Sequence, residues 1–129
     1  MINFLFRKKP KLILVIEDED DPGEILCEYI KSQGLRTAWA RDGAEGLEFA
    51  EKLKPNLIIL DIMLPKMDGM DVLVHLKSKS KTKNIPVLMC TALQEIETVE
   101  KCCRNGAVGY IMKPYHLKEV LEKIKTILG

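Results

Sequence analysis

Unbroken apolar runs that end in a reactive polar side chain recur four times along the chain. The runs cover residues 12–16, 57–60, 87–90 and 110–112, and the polar residues that follow them are Glu17 and Asp18, Asp61, Thr91, and Lys113. Short runs of this kind are typical of strands buried on both faces of a parallel sheet. Ligand sites in open parallel sheets form beyond the carboxyl ends of the strands. The pattern therefore predicts one crevice that gathers three carboxylates, a hydroxyl and an ammonium.

Helix signals separate these runs, so that strand and helix alternate five times. The residues that mark expected helix starts and ends are Asp21, Pro22, Gly34, Asp42, Asp68 and Gly106. Residues 35–40 predict a short, more polar edge strand, and the fourth and fifth helices are expected near residues 94–104 and 117–128. Five such pairs joined by right-handed crossovers predict a three-layer α/β sandwich.

Composition narrows the class of protein. A chain of 129 residues with 47% hydrophobic residues can bury a single core without disulfide support. A net charge of +1 provides no general field for nucleic acid, and no segment approaches the roughly 18 apolar residues of a membrane span. The four cysteines form no zinc-type pairs and are expected to be reduced thiols, which predicts a cytoplasmic protein.

Two segments fall outside the alternating pattern. Residues 1–10 combine an apolar pentad with basic residues and are predicted to form an N-terminal arm, with residues 11–129 as the folded domain. The apolar part is too short for a signal peptide, and its charges follow it instead of preceding it. The basic run 77–83 has no interleaved aromatic residues and is predicted to be a solvated loop at the opposite end of the sheet from the crevice.

The three carboxylates Glu17, Asp18 and Asp61 are the first candidate for chemistry. Two like charges about 4 Å apart repel each other by about 4 kcal/mol at an effective dielectric constant near 20. A hard divalent cation would relieve this repulsion, and all-oxygen ligation suits Mg²⁺. The alternative is that these acids only cap loops, because residues 18–21 form an acidic run of the kind that is usually solvated. The separate Asp61 and the distant Lys113 favour the metal site.

A carboxylate beside Mg²⁺, with a lysine and a hydroxyl at neighbouring strand ends, suits phosphoryl transfer to the carboxylate itself. From residue 11 to residue 128, the chain resembles the receiver domain of two-component response regulators. The motifs that carry the resemblance are Glu17-Asp18, residues 60–65 with 67–69, Thr91-Ala92, and Tyr110 with Lys113-Pro114. The resemblance implies a flavodoxin-like, doubly wound, five-stranded parallel sheet of strand order 2-1-3-4-5 with helices on both faces.

The resemblance also implies a role for each matched residue. Asp61 is the expected phosphoacceptor. The expected ligands of Mg²⁺, for which Mn²⁺ is a substitute, are Asp18, Asp61, the backbone carbonyl of Met63, and Glu17 either directly or through a water molecule. The expected phosphoryl-binding and switch residues are Thr91, Ala92, Lys113, Tyr110 and Pro114, the last of them after a cis peptide bond.

The implied function is that of a phosphorelay switch and not of a metabolic enzyme. Asp61 is expected to take a phosphoryl group from a sensor histidine kinase or a histidine phosphotransfer protein. An output protein is then expected to bind the face formed by the fourth helix, the fifth strand and the fifth helix. One alternative is a haloacid-dehalogenase-like phosphatase, but that family needs a second aspartate where Met63 stands. Another is a receiver-like interaction module that is never phosphorylated, against which the intact Asp61, Thr91 and Lys113 argue.

Overall fold

The computed structural model describes residues 9–92 and 95–129, and within them five parallel strands alternate with five helices. The strands are β1 (Leu12–Ile16), β2 (Arg36–Ala40), β3 (Leu57–Leu60), β4 (Val87–Thr91) and β5 (Gly109–Met112). The helices are α1 (Asp20–Ser32), α2 (Gly43–Leu53), α3 (Gly69–Ser78), α4 (Ile96–Arg104) and α5 (Leu117–Leu128). The sheet order is β2-β1-β3-β4-β5, which confirms the predicted fold and strand order.

The central strands are buried on both sides because each face of the sheet is covered by helices. Every residue of β1, β3 and β4 is buried. Successive side chains of a strand point to opposite faces. Leu14 and Ile16 accordingly join a core cluster with residues of α2 and α3, while Ile13 and Val15 join one with residues of α1 and α5. Unbroken apolar runs are what such a doubly covered sheet requires.

The strand order places a topological switch at the middle of the sheet. The chain leaves β1 to form β2 on one side, and β3 then pairs with β1 on the other side. The helices that follow β1 and β3 therefore lie on opposite faces and leave a crevice at the carboxyl ends of these two strands. Glu17 and Asp61 are the first residues after these strands.

Two of the three predicted N-caps, Asp42 and Asp68, are confirmed by side-chain hydrogen bonds. The Asp42 carboxylate accepts a hydrogen bond from the backbone N–H of Glu45 at 2.8 Å, and the Asp68 carboxylate accepts one from Met70 at 3.1 Å. Each bond satisfies an N–H group that has no partner inside the helix. The caps fix where α2 and α3 begin, at the crevice end of the sheet.

The predicted N-cap of the first helix, Asp21, is wrong by two positions. Helix α1 begins at Asp20 after Glu19, whose side chain makes no capping bond. Pro22 is therefore the third residue of the helix instead of the first. It is tolerated because the N–H groups of the first turn have no partner within the helix, so the missing donor of proline costs nothing.

The basic run 77–83 is only partly the solvated loop that was predicted. Its first two residues complete α3, and Thr82 is 1% exposed. The Thr82 hydroxyl donates to the carbonyl of Leu76 at 2.7 Å, and Lys77 Nζ donates to the carbonyl of Ile85 at 2.8 Å. These bonds satisfy one backbone carbonyl in the last turn of α3 and one in the connection to β4, so the segment is ordered and carries lysines on its outer side.

Two predictions fall on residues outside the described part of the chain. Residues 1–8 of the expected N-terminal arm are among them, so the division at residue 10 stays a prediction; Lys9 and Pro10 are exposed. Gln94, where the fourth helix was expected to begin, is also among them, and α4 starts at Ile96. No helix in the described residues is long and apolar enough to span a bilayer.

Candidate functional site

The crevice at the carboxyl ends of β1 and β3 holds two nearly buried carboxylates. Glu17 is 6% exposed and Asp61 is 7% exposed, and the last residues of the two strands, Ile16 and Leu60, are partners in the sheet. The strand pairing continues into the site, because the N–H of Asp61 donates to the carbonyl of Ile16 at 3.2 Å. Asp18 is exposed at the rim. One carboxylate oxygen from each of Glu17, Asp18 and Asp61 lies within 4.8 Å of the other two.

Lys113 is the first residue after β5, and its side chain extends into this cluster. Its ammonium lies 2.6 Å from Glu17 Oε1 and 2.8 Å from Asp61 Oδ2. Burial alone would lower the pKa of Lys113, but its bonds to the two carboxylates outweigh burial and raise the pKa above its ordinary value. Lys113 is therefore a cation at any physiological pH. Its own N–H donates to the carbonyl of Thr91 at 2.9 Å, which fixes the lysine to the end of β4.

Glu17 is the carboxylate that burial affects most clearly. Burial raises its pKa above the ordinary value, and the hydrogen bond from Lys113 opposes that rise. The nearby Asp61 charge raises the pKa further. The site thus holds more negative charge than its single ammonium neutralises, which is the imbalance that a divalent cation would correct.

The turn after Asp61 binds the second oxygen of the Asp61 carboxylate through a backbone N–H. Asp61 Oδ1 accepts a hydrogen bond from the N–H of Met63 at 3.0 Å. The turn also packs against the first residue of α3, because the N–H of Gly69 donates to the carbonyl of Ile62 at 2.8 Å. A Cβ atom at Gly69 would lie 2.1 Å from the Asp61 carbonyl oxygen, so only glycine fits there. Both oxygens of Asp61 are therefore positioned, one by Lys113 and one by the turn.

The remaining predicted residues lie around β4 and β5. Thr91 ends β4 and is fully buried, and Ala92, the next residue, is exposed. The Lys113–Pro114 peptide bond is cis. A cleft of about 400 Å³ is lined by Pro22, Ala92, Lys113, Pro114 and Tyr115.

Tyr110, the expected switch residue, is half-buried on β5. It packs against the core cluster that also contains α3 residues. Burial raises its pKa to about 12.

The donor set fits a hard divalent cation. Three carboxylates converge and one ammonium faces two of them, so oxygen ligands and an excess of negative charge are both present. Oxygen ligands with excess negative charge are the chemistry that Mg²⁺ prefers, and Mn²⁺ accepts the same ligands. Met63, whose carbonyl is the further expected ligand, lies in the turn that holds Asp61.

One contact of the acidic loop between β1 and α1, residues 17–19, was not predicted. The indole Nε1–H of Trp39, on the edge strand β2, donates to the carbonyl of Glu17 at 2.8 Å. This contact depends on the register of β1 with β2, in which Val15 pairs with Trp39. The sequence alone does not contain that register, so this contact could not be predicted from it.

Comparison with known proteins assigns the family. The sequence model of the response regulator receiver domain matches residues 13–125. The chain belongs to the response regulator receiver family. This receiver domain is 32% identical over 120 residues to the polar-differentiation response regulator DivK of Brucella anthropi, covering 93% of this chain and 98% of DivK.

A second relative is a longer protein. The receiver domain is 36% identical over 116 residues to the DNA-binding dual master transcriptional regulator RpaA of Synechocystis sp., covering 90% of this chain and 48% of RpaA. The DNA-binding response regulator MtrA of Mycolicibacterium smegmatis is 34% identical over 116 residues, and 50% of MtrA is covered. The receiver domain thus spans about half the length of these two relatives.

Solved structures agree with the fold. A CheY-like response regulator receiver domain protein from Methanospirillum hungatei superimposes with a TM-score of 0.87 at 29% identity, covering 92% of this chain and 94% of that one. The signal receiver domain of a signal transduction histidine kinase from Syntrophus aciditrophicus gives a TM-score of 0.83 at 30% identity, covering 92% of this chain and 89% of that one.

Family membership confirms the resemblance and the class of function. Receiver domains are signalling switches, in general not classical enzymes, that interact with histidine kinases and bind Mg²⁺ at an acidic pocket. The haloacid-dehalogenase-like alternative is left without support.

Proposed function

We propose that this receiver domain accepts a phosphoryl group on Asp61 from a sensor histidine kinase or a histidine phosphotransfer protein. The aspartyl phosphate then alters the output face formed by α4, β5 and α5. The observation that most supports this proposal is the position of Lys113, whose ammonium contacts both Glu17 and Asp61 at the crevice end of the sheet. A cation held between two buried carboxylates is suited to balance the charge of an incoming phosphoryl group.

In phosphoryl transfer to Asp61, the main role of the protein is to position the reacting groups. An oxygen of Asp61 forms a bond to phosphorus while the bond from phosphorus to the donor imidazole nitrogen breaks, and that nitrogen takes up a proton. The Met63 N–H and the Lys113 ammonium orient the Asp61 carboxylate before the donor arrives. Such pre-orientation accounts for much of the rate in transfers with a loose transition state.

Glu17, Asp18 and Asp61 are the proposed side-chain ligands of Mg²⁺, with the Met63 carbonyl as a further ligand and Mn²⁺ as a substitute. Bound Mg²⁺ would supply charge neutralisation at the phosphoryl oxygens. Lys113 would move from the carboxylates toward a phosphoryl oxygen, and Thr91 would donate its hydroxyl to another. Loss of the phosphoryl group to water returns the domain to its resting state, so each phosphorylation is one signalling event.

Signal output is proposed to follow from the added charge of about −2 at Asp61. Thr91 is drawn toward the phosphoryl group, for which the small Ala92 leaves room, and Tyr110 turns inward into the vacated space. The α4–β5 region carries exposed apolar side chains, with Ile96 74%, Val108 52% and Met112 47% exposed. Exposed apolar groups of this kind suit a protein partner. A net charge of +1 argues against nucleic acid as that partner.

The test is chemical labelling at Asp61. Incubation with acetyl phosphate and Mg²⁺ should add one phosphoryl mass to the intact protein, and EDTA should prevent it. Asp61→Asn should not be labelled, whereas Asp68→Asn should be labelled like the wild type, because asparagine keeps the capping bond to Met70.

Equal labelling of Asp61→Asn and the wild type would contradict the assignment of the acceptor. Absence of labelling from acetyl phosphate and from a phosphorylated histidine phosphotransfer protein would favour the alternative of a non-phosphorylated interaction module.

A further inference from the structure

The acidic loop after β1 is anchored to the edge strand β2 through both backbone groups of Glu17. The N–H of Glu17 donates to the carbonyl of Ala40 at 3.0 Å, which extends the strand pairing. The carbonyl of Glu17 accepts from Trp39 Nε1 at 2.8 Å. The indole of Trp39 thus donates to the Glu17 carbonyl in place of a backbone N–H of the neighbouring strand. Glu17 is the first of the acidic residues after β1.

The Trp39 indole occupies a space that only glycine leaves open. A Cβ atom at Gly23 would lie 2.2 Å from Trp39 Cζ2 and 2.4 Å from Trp39 Cε2. Gly23 is buried within α1, where glycine is unfavourable because of its backbone freedom. The close contact with the indole is the physical reason for a glycine at this position of the helix.

The guanidinium of Arg41 packs against the Trp39 ring. Arg41 Cζ lies 4.1 Å from the centroid of the Trp39 ring, within the range of a cation–π interaction. The same guanidinium pairs with the carboxylate of Asp20, the first residue of α1. The indole of Trp39 therefore links the loop at Glu17 to helix α1, which it contacts at Gly23 directly and at Asp20 through Arg41.

The loop after β1 needs such an anchor because its carboxylates and that of Asp61 repel one another. Residues 17–21 are five consecutive acids, and the carboxylate oxygens of Glu17 and Asp18 must approach Asp61 to share a cation. Like charges at this spacing favour an open loop when no cation is bound. A neutral hydrogen bond from an indole holds the Glu17 backbone without adding positive charge to the site.

We infer that Trp39 is a positioning residue for the divalent-cation site. By holding the Glu17 carbonyl, it keeps the Glu17 and Asp18 carboxylates near Asp61 before the cation binds, so that less ordering is required on binding. This inference rests on the proposed function. It assigns to Trp39 a role in cation affinity and none in the transfer of the phosphoryl group itself.

The direct test is Trp39→Phe, which keeps an aromatic ring and removes the N–H donor. Calorimetric titration with Mg²⁺ should give a Kd about fivefold higher than that of the wild type, the effect of losing one neutral hydrogen bond. The control is Tyr29→Phe, which removes one polar group from a half-buried aromatic residue near the other end of α1 and should not change the Kd.

A second measurement distinguishes a loss of Mg²⁺ affinity from a general structural defect of the variant. The rate of labelling by acetyl phosphate should fall in Trp39→Phe at low Mg²⁺ and return to the wild-type rate at saturating Mg²⁺. A merely structural defect would lower the rate at every Mg²⁺ concentration. Gly23→Ala, which intrudes on the indole, should shift the Mg²⁺ dependence in the same direction.

A third readout requires no substitution. Trp39 is the single tryptophan of the chain, so its indole N–H gives one NMR signal. That signal should exchange slowly with solvent and should shift during Mg²⁺ titration with the Kd measured by calorimetry.

The outcomes separate this inference from the proposed function. Equal Mg²⁺ affinity in Trp39→Phe and the wild type, or rapid exchange of the indole N–H, would overturn the role of Trp39 alone. Absence of Mg²⁺ binding by the wild type, with the slow indole signal intact, would overturn the proposed cation site and the inference with it.

Discussion

Helices α3 and α4 contribute to the same core cluster on one face of the sheet but are anchored very differently. Five of the ten residues of α3 are buried, and they are Gly69, Met70, Val72, Leu73 and Leu76. Only one of the nine residues of α4, Cys102, is buried. Since buried apolar contacts resist displacement, α4 can be repositioned at a much lower cost in free energy than α3.

This difference matches the positions of the two helices relative to Asp61. Helix α3 begins at Gly69, whose N–H donates to the turn after Asp61, so the anchoring of α3 holds the proposed phosphoacceptor in place. Helix α4 follows Thr91 and presents the exposed Ile96. The two helices touch where Cys102 Sγ lies 3.4 Å from Met70 Sδ. In the proposed function, phosphorylation therefore takes place beside the firmly anchored helix α3, and the output face includes the weakly anchored helix α4.

The largest expected effect is a difference in stability between truncations of one fully buried residue in each helix. Leu73→Ala should lower the free energy of unfolding by about 3 kcal/mol, because it leaves a cavity in a fully buried part of the core. Cys102→Ala should lower it by about 1 kcal/mol, since a thiol is small. Urea denaturation followed by circular dichroism measures both values. Equal losses would mean that α4 is anchored as firmly as α3.

The second prediction concerns the reactivity of buried thiols. In a Cys103→Ser background, iodoacetamide at pH 8 should modify Cys102 roughly tenfold faster than Cys90, because local opening of α4 exposes Cys102. Both thiols are almost fully buried, and burial raises the pKa of each. Burial raises the pKa of Cys90 to about 12, so very little thiolate is present in the folded state at pH 8 and modification of Cys90 requires opening of the core.

Peptide mapping by mass spectrometry distinguishes the two sites. If Cys90 and Cys102 were modified at the same rate, both would react only after global unfolding, and α4 would have no opening of its own.

Much of the fold could be predicted because burial leaves a strong local pattern. The strands β1, β3 and β4 are unbroken apolar runs, and the side chains of Glu17, Asp61 and Lys113 were expected at one end of the sheet because strand ends converge there. The features that could not be predicted depend on register and close packing. The bond from Trp39 to Glu17 requires a specific pairing of β2 with β1.

The remaining errors arise from competition between equivalent local signals. Five consecutive acids offer several positions for a helix cap, and Asp21 was predicted as the N-cap of α1 where Glu19 holds that position. In the basic run 77–83, the lysines indicated solvent, but the hydroxyl of Thr82 was free to turn inward to a backbone carbonyl. A count of charges does not report the direction of a single side chain between them.

The smallest expected effect concerns exposed apolar residues on the two helices. Ile96→Ser in α4 and Val74→Ser in α3 should each change the free energy of unfolding by no more than about 0.5 kcal/mol, because the two side chains are 74% and 48% exposed. The same urea titrations measure this. A loss above about 1 kcal/mol for Ile96→Ser would indicate that α4 has an apolar anchor beyond Cys102.

The most direct test of the account is amide NMR of the domain before and after phosphorylation by acetyl phosphate with Mg²⁺, with Asp61→Asn as the control. Outside the crevice itself, the account predicts that chemical-shift changes concentrate in α4 and β5, including Tyr110, while the second and third turns of α3 keep their shifts. The control should show no such changes. Shifts spread equally over α3 and α4, or absent from both in a fully phosphorylated sample, would contradict the account.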